Sequence, residues 1–433
     1  MLRGHTSKKG IYLDYAGATP VDKAVLKEMY KFDGKFFANP SSIHYLGVLA
    51  HNLLEESRSK IAKLINAHSD EIIFTSSGTE SDALAILGLV YNLSKPGLDE
   101  KNIPHIVTTN IEHPAILENC RLLEKRKEAE VTYIEPDENG LINPKDIKNA
   151  IKENTVLVSV MYANNEIGTI EPIQEIAKEI RHFRKTKSIP GMDKNSVHTG
   201  DGLPLNFPVF HTDACQAINY LDISNIEKLG VDMMSFNSSK IYGPKGVGIL
   251  FKKRGLEISP VYGGGEQEFG LRSGTENVVN IAGFSKALEV TEKIKNKEVE
   301  RLTKIRNYAV EKILELKGKT GYEIILNGSL EVRLPNNINI SVKGISSELL
   351  VIELDAMGIY VSEKSACQSE KSGGSYVIKA IRNAERGKAS LSISDDDSGS
   401  IRISLGRYTT KKDMNHLVSS FKKILLKYKS FIN

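Results

Sequence analysis

The sequence, 433 residues long, predicts an α/β protein: a mainly parallel sheet covered by helices on both faces, with a smaller α+β part behind it. Three observations lead there. Short apolar runs alternate with longer stretches of helical spacing from Glu71 to Phe251. Most of those runs end in small or polar residues, as strands do when their C-terminal ends open into ligand-binding loops. From about Asn277 the alternation gives way to two long helical patterns, Val278 to Lys297 and Val299 to Lys317, and to short strands near Tyr322 to Leu326, Asn337 to Val342 and Ile359 to Ser362.

Taken in order, Thr19-Pro20 reads as an N-cap and first helical residue leading into Val21 to Tyr30. Asn39-Pro40-Ser41-Ser42 breaks the chain before an amphipathic segment, Ile43 to Ile65. Glu71 to Thr75 is an apolar strand, and Ser76-Ser77-Gly78-Thr79-Glu80-Ser81 opens the helical run Asp82 to Tyr91. Strand, small-residue turn and helix in that order make an anion site, since first-turn N–H groups and the hydroxyls of Ser77 and Thr79 converge. On this motif alone an N-cap without a ligand reads equally well.

Strand and helix patterns continue with His105 to Thr109, then Glu112-His113-Pro114 and a helix, Val131 to Ile134, and Thr155 to Met161. Asn164-Asn165-Glu166-Ile-Gly168 follows, and Pro172 starts a helix to Arg184. Lys187 to Phe207 is an aperiodic loop before the strand Pro208 to Thr212, which ends in Asp213-Ala-Cys-Gln216. Lys240 leaves the strand Val231 to Phe236 just before the turn Gly243-Pro-Lys-Gly246 and the strand Val247 to Phe251. Arg386 to Ser400 is a polar excursion before the strand Ile401 to Ser404, and Phe421 to Lys429 reads as a C-terminal helix with one wet face.

Composition narrows the function classes. With 58 basic against 54 acidic side chains, a net charge of +4 gives no global pull towards nucleic acid or membrane. No apolar run approaches the length that spans a bilayer, and the basic leader Met1 to Lys9 lacks a signal peptide's apolar core, so a cytoplasmic protein is expected. Cys120, Cys215 and Cys367 are far apart and form no zinc or disulfide framework. His211-Thr-Asp213 has no third ligand at a useful spacing, which sets a metal-dependent hydrolase aside.

On its own, Lys240 reads more readily as a solvated loop lysine than as an imine-forming one. Its neighbours at other strand ends change that reading. Asp213 can hold a pyridinium nitrogen protonated, Gly78 and Thr79 can hold a phosphate, and His113 can lie flat against a ring. Together these residues describe a pyridoxal 5'-phosphate site.

The chain resembles the NifS/IscS-type cysteine desulfurases of the class V aminotransferases almost from end to end. The matching motifs include Asn39-Pro-Ser-Ser-Ile-His44, Thr79-Glu-Ser81, Glu112-His113, Asn164-Asn-Glu-Ile-Gly168, Asp213-Ala-Cys-Gln216, Lys240-Ile-Tyr-Gly-Pro-Lys-Gly246, Arg272-Ser-Gly-Thr275, Ser365-Ala-Cys367 and Ile401-Arg-Ile-Ser-Leu-Gly-Arg407. The resemblance implies fold type I, with a large cofactor domain over 16–276 built on a seven-stranded sheet. Residues 1–15 and 277–433 would form the smaller domain that carries the catalytic-cysteine loop.

It further implies that Lys240 carries the cofactor covalently, that Asp213 and Gln216 contact the pyridine nitrogen and phenolic oxygen, and that His113 stacks on the ring. Gly78, Thr79, Asn237 and Ser239 would bind the phosphate, with Thr275 reaching it from the second subunit of a homodimer. Asn165 would orient the substrate, L-cysteine, and Arg402 would grip its carboxylate, although Arg402 taken alone is an ordinary strand residue. Cys367, in the polar loop Ser362 to Gly374, would take the sulfur as a persulfide. Alanine remains, and the sulfur passes to an acceptor such as an iron–sulfur scaffold or a tRNA-thiolation protein. Lys364 and Lys371 either lower the Cys367 pKa or are merely solvated.

Departures from the family pattern fall in three places, one of them the insertions Lys187 to Phe207 and Arg386 to Ser400, which add surface. Ser239 stands where His is usual and Asn237 where Ser is usual, which predicts weaker phosphate retention at Ser239. The flanks of Cys367 are more charged than the usual Ser/Gly-rich form. The competing readings are a selenocysteine lyase or plain aminotransferase of the same fold, and a cofactor-binding scaffold that has lost catalysis. A thiol in a polar loop argues against an aminotransferase, and retention of Lys240, Cys367 and Arg402 argues against a scaffold.

Overall fold

The computed structural model describes residues 10–93, 103–186, 207–363, 374–386 and 400–429. Cys367, Lys364 and Lys371 lie outside the described residues, as do all but the end residues of the two expected excursions. Strand β1 (Ile11–Tyr12) is followed by helices α1 (Lys23–Phe32) and α2 (Tyr45–Leu64). The alternating region then runs β2 (Ile72–Thr75), α3 (Gly78–Leu93), β3 (His105–Thr109), α4 (Pro114–Arg126), β4 (Glu130–Ile134), α5 (Pro144–Ala150), β5 (Thr155–Ser159), α6 (Ile173–Thr186), β6 (Val209–Asp213), α7 (Ile226–Leu229), β7 (Met233–Asn237) and β8 (Gly248–Lys252). After it come α8 (Val278–Leu314), α9 (Leu316–Thr320), β9 (Ile324–Leu326), β10 (Asn337–Val342), α10 (Ser347–Ala356), β11 (Ile359–Tyr360), α11 (Tyr376–Arg386), β12 (Ser400–Ser404) and α12 (Lys411–Lys429).

Seven strands form the central sheet in the order β2-β8-β7-β6-β5-β3-β4. All run parallel except β8, which is antiparallel to both its neighbours. Alternate residues of each strand enter opposite cores: Val107, Val158, Phe210, Met234 and Ile249 on one face, and Ile106, Leu157, Val209, Met233 and Leu250 on the other. With both faces covered there is no wet side, so the strands read as continuous apolar runs rather than alternating ones.

β12, β10 and β9 form an antiparallel sheet, in which Arg402 lies opposite Asn339. β1 pairs in parallel with β11, and the chain then crosses from this part to the central sheet, where Thr19 N–H donates to the Ser239 carbonyl at 3.0 Å.

Several boundaries differ from the sequence expectation for identifiable reasons. Thr19 does not cap α1. Asp22 does, accepting from Ala24 N at 2.7 Å, while the Thr19 hydroxyl donates to Ser239 O and accepts from Tyr242 N. The helix expected from Asp82 begins at Gly78, because Ser77 Oγ accepts from Glu80 N and Ser77 O from Ser81 N. The two helices expected after Asn277 are one, α8, since no Gly or Pro interrupts Lys297-Glu298-Val299. Val278 and Ala282 of α8 pack on Ala50 and Leu53 of α2, whereas Arg301 and Arg306 further along donate to the carbonyls of Thr409 and Leu334.

One buried ion pair ties the α2 face to the sheet. Both Glu268 carboxylate oxygens accept from Arg58, at 2.7 and 2.8 Å, and Glu268 also accepts from Phe74 N of β2. Both side chains are almost fully buried, so removing one partner strands a charge. Arg58→Ala is expected to cost about 3–5 kcal/mol, measured as a lower urea midpoint at unchanged slope. A midpoint within error of wild type would contradict the assignment.

Candidate active site

The parallel strands end on one edge of the sheet, and Asp213, Lys240, His113 and Gly78 stand at or just after those ends. Asp213 is the last residue of β6 and is buried; its Oδ1 accepts from Cys215 N at 2.8 Å. Lys240 follows β7 in a single 3₁₀ turn, Ser238–Lys240. Its Nζ donates to the carbonyl oxygens of Ala16 at 2.8 Å and Gly17 at 2.5 Å. Gln216 Nε2 donates to the same Ala16 oxygen at 3.1 Å, so lysine and glutamine meet at one carbonyl.

His113 is the N-cap of α4, and its Nδ1 accepts from Ala115 N at 3.1 Å, which leaves the second ring nitrogen as the proton carrier of the neutral form. Burial lowers its pKa; the Asp213 charge opposes that shift, and the charges of Lys240 and Arg402 reinforce it. One imidazole thus senses three of the predicted site residues.

Arg402, on β12, is buried. Nη1 donates to Asn165 O at 2.9 Å, Nη2 donates to Asp14 Oδ1 at 2.8 Å, and Nε has no hydrogen-bond partner among the described residues. Asn165 Oδ1 is also buried and without such a partner there.

The anion site is built from backbone. No described residue accepts from the amides of Gly78 and Thr79 at the start of α3, so both donors and the positive end of the helix dipole remain available. The Ser77 hydroxyl caps the helix by accepting from Glu80 N at 3.2 Å, which leaves its own proton to donate. Gly78 cannot carry a side chain: a Cβ there would lie 2.7 Å from Cys215 Sγ and 3.0 Å from Asn237 Nδ2. The two departures from the family pattern touch each other, since Ser239 Oγ donates to Asn237 Oδ1 at 3.1 Å. This bond orients Asn237 so that Nδ2 faces Cys215 Sγ, 3.4 Å away, beside Gly78.

Behind these groups burial pushes acids towards their neutral forms. Burial raises the Glu112 pKa to about 8, with Oε1 accepting from Thr109 Oγ1 and Met161 N. Burial and the nearby Asp213 charge raise Asp82 well above the carboxylate range. His211 is pushed down to about 3 by burial, its ring nitrogens bonded to Ser159 and Ser235. Asp82, Asp14 and the Ala16 and Gly17 carbonyls were not singled out as site groups from the sequence. Asp82 carried a signal, being the acid that opens the helical run after the anion turn; a backbone carbonyl carries none. Thr275 is exposed, and no described contact joins it to Lys240 or Gly78.

A lysine amine, a buried carboxylate and an anion-binding helix start at the C-terminal edge of a parallel sheet define a pyridoxal-phosphate site of fold type I. The residues fit that group: two helix-start amides await an acceptor, and Asn165 Oδ1 and Arg402 Nε are buried polar atoms without partners among the described residues. The chain belongs to the aminotransferase class-V family, whose model matches residues 11–189 and 207–417; members of this family that desulfurate cysteine depend on pyridoxal phosphate. It is 41% identical to a cysteine desulfurase IscS of Dictyoglomus turgidum over 98% of this chain and 96% of that relative. Another cysteine desulfurase, IscS 1 of Archaeoglobus fulgidus, is 36% identical over 94% of each chain. The solved structure of a NifS-like protein superposes with a TM-score of 0.80 at 30% identity, covering 96% of this chain and 99% of that one. SspA in complex with cysteine gives 0.69 at 29% identity, covering 92% and 100%.

The contact between Ser239 and Asn237 makes their effects interdependent. Ser239→Ala should raise the pyridoxal phosphate dissociation constant by about three- to tenfold, the worth of one hydrogen bond. Restoring the family pair with Asn237→Ser and Ser239→His together should bind more tightly than Ser239→His alone. Additive effects in the double-mutant cycle would show that the two positions act separately.

Proposed function

We propose that the protein is a cysteine desulfurase: it takes sulfur from L-cysteine, releases L-alanine and passes the sulfur through Cys367 to an acceptor protein for iron–sulfur cluster assembly or tRNA thiolation. The observation that carries this reading is the gathering of Asp213 at the end of β6, Lys240 after β7 and His113 at the start of α4 beside a helix start with open amides, with Arg402 joined to them through Asn165 and the Asp14–Gly17 segment. Pyridoxal phosphate, when bound, supplies an electron sink for the bonds to the substrate Cα.

Each residue then has a task set by its position. Gly78 and Thr79 hold the phosphate through their amides, with Asn237 and Ser239 beside them. Asp213 would keep the pyridine nitrogen protonated, Gln216 would serve the phenolic oxygen, and a neutral His113 would lie against the ring. Lys240 would hold the cofactor and move the proton at the substrate Cα. Arg402 receives the substrate carboxylate on its open Nε edge, and Asn165 orients the substrate. Cys367 Sγ forms an S–S bond to the substrate sulfur as the C–S bond breaks. The products are a protein persulfide and, after protonation at carbon, alanine.

The same reading supports a homodimer in which Thr275 of each chain completes the other's phosphate site. Thr275 is exposed, and Phe37, Ile43, Tyr45 and Val48 form an exposed apolar stretch. It also supports a division into a large domain, 16–276, and a smaller one, 1–15 with 277–433, because β1 pairs with β11. The buried free thiols Cys120 and Cys215 suit a reducing, cytoplasmic setting, and no described helix is long and apolar enough to cross a membrane.

The test is an assay of purified protein with pyridoxal phosphate, cysteine and a reductant. Sulfide and alanine should appear in equal amounts, and Lys240→Ala should lower both by about 10²–10⁴-fold or more. Cys367→Ala should carry no persulfide. If it releases sulfide as fast as wild type, Cys367 is not the acceptor.

A further inference from the structure

Cys367 is tied covalently between two roots, and both are fastened to the active site. At the first root, Ser362 and Arg402 exchange backbone hydrogen bonds: Arg402 N donates to Ser362 O at 2.7 Å and Ser362 N to Arg402 O at 3.1 Å. At the second root, Ser375 is buried and Tyr376 begins α11. The Tyr376 hydroxyl donates to the backbone carbonyl of Glu112, the residue immediately before His113. The Ser375 hydroxyl donates to a carboxylate oxygen of Glu166, the residue immediately after Asn165, and accepts from Ile378 N at 3.1 Å as a cap for α11.

The anchor points are themselves hydrogen-bonded to the core. Glu112 is held through its side chain by Thr109 and Met161. Glu166 is held through its backbone, with N–H donating to Asn164 Oδ1 and its carbonyl accepting from the amides of Asn337 and Asn339. The apolar side of α11 is buried through Val377, Ile378 and Ala380. That packing holds the helix against the core. Directional bonds at its first residues tie its start to two particular peptides.

We propose that Tyr376 and Ser375 are positioning residues for sulfur transfer, registering the segment that carries Cys367 against the peptides that carry His113 and Asn165. The assignment rests on the desulfurase reading and adds to it the residues that decide where the thiol is presented. Both hydroxyls are engaged with protein groups, Tyr376 with the Glu112 carbonyl and Ser375 with Glu166 and Ile378. Their loss therefore slows the attack of Cys367 on sulfur and leaves substrate binding alone.

The experiment uses the full-length enzyme loaded with pyridoxal phosphate and mixed with saturating cysteine in a single turnover. Persulfide on Cys367 is followed by mass spectrometry, and the cofactor absorbance change on mixing reports substrate binding. Tyr376→Phe and Ser375→Ala should each slow persulfide formation by about tenfold, the effect of one well-placed hydrogen bond. The cofactor affinity, the absorbance change and KM should stay as in wild type, and Ser375→Thr should recover the rate that Ser375→Ala loses. Persulfide formation at the wild-type rate in both variants overturns the proposal, as does an equal slowing of the absorbance change, which would mark a general disturbance of the site. A wild type that makes alanine while loading no sulfur on Cys367 overturns the desulfurase reading itself, and the positioning role with it.

Discussion

The site depends on a short crossing of backbone, Asp14 to Thr19, that gives a half-buried lysine and a buried arginine something to bind. Lys240 Nζ is held by the Ala16 and Gly17 carbonyls, Gln216 shares the Ala16 oxygen, and Asp14 pairs with Arg402. Thr19 fastens the same segment to the lysine turn through Ser239 and Tyr242. A buried ammonium or guanidinium without such partners would cost several kcal/mol. The crossing therefore makes it possible for a lysine and an arginine to share a cleft. It also joins the C-terminal part of the chain, where β1 pairs with β11, to the strand ends of the central sheet.

Electrostatics around that crossing are set by burial. Glu112 and Asp82 are pushed towards their neutral forms, as are His113 and His211 from the opposite direction. The downward shift at His113 disfavours a second positive charge beside Lys240, and the upward shift at Asp82 disfavours a second anion beside Asp213. This arrangement suits a cofactor whose pyridine nitrogen must meet one carboxylate and whose lysine must give up a proton.

Much of this was legible in the sequence. Asp213, Lys240, Gly78 and His113 could be placed because apolar runs end just before them, and a sheet buried on both faces makes such runs continuous. The role of Thr19 was not legible: Thr-Pro has the local form of a helix start, and only the folded chain shows that Asp22 takes the cap while Thr19 reaches across to Ser239. The antiparallel course of β8 did leave a trace, since the link from Asn237 to Gly248 is too short for the crossover that a parallel neighbour needs. Ser375 and Tyr376 carry no motif at all. Their bonds join positions far apart in the chain, and hydrogen bonds of that kind leave no periodic trace. Asn237 and Ser239 were each visible as departures, but their contact with each other was not.

The central claim is that Lys240, and not another lysine, carries the cofactor. It is tested most directly by treating the pyridoxal-phosphate-loaded protein with borohydride, which fixes the cofactor permanently to the amine that holds it, and mapping the tagged peptide by mass spectrometry. The account predicts a single tag on Lys240, displaced from the unreduced protein when cysteine is added first. A tag on a different lysine, or none under conditions where cofactor absorbance is present, would contradict it.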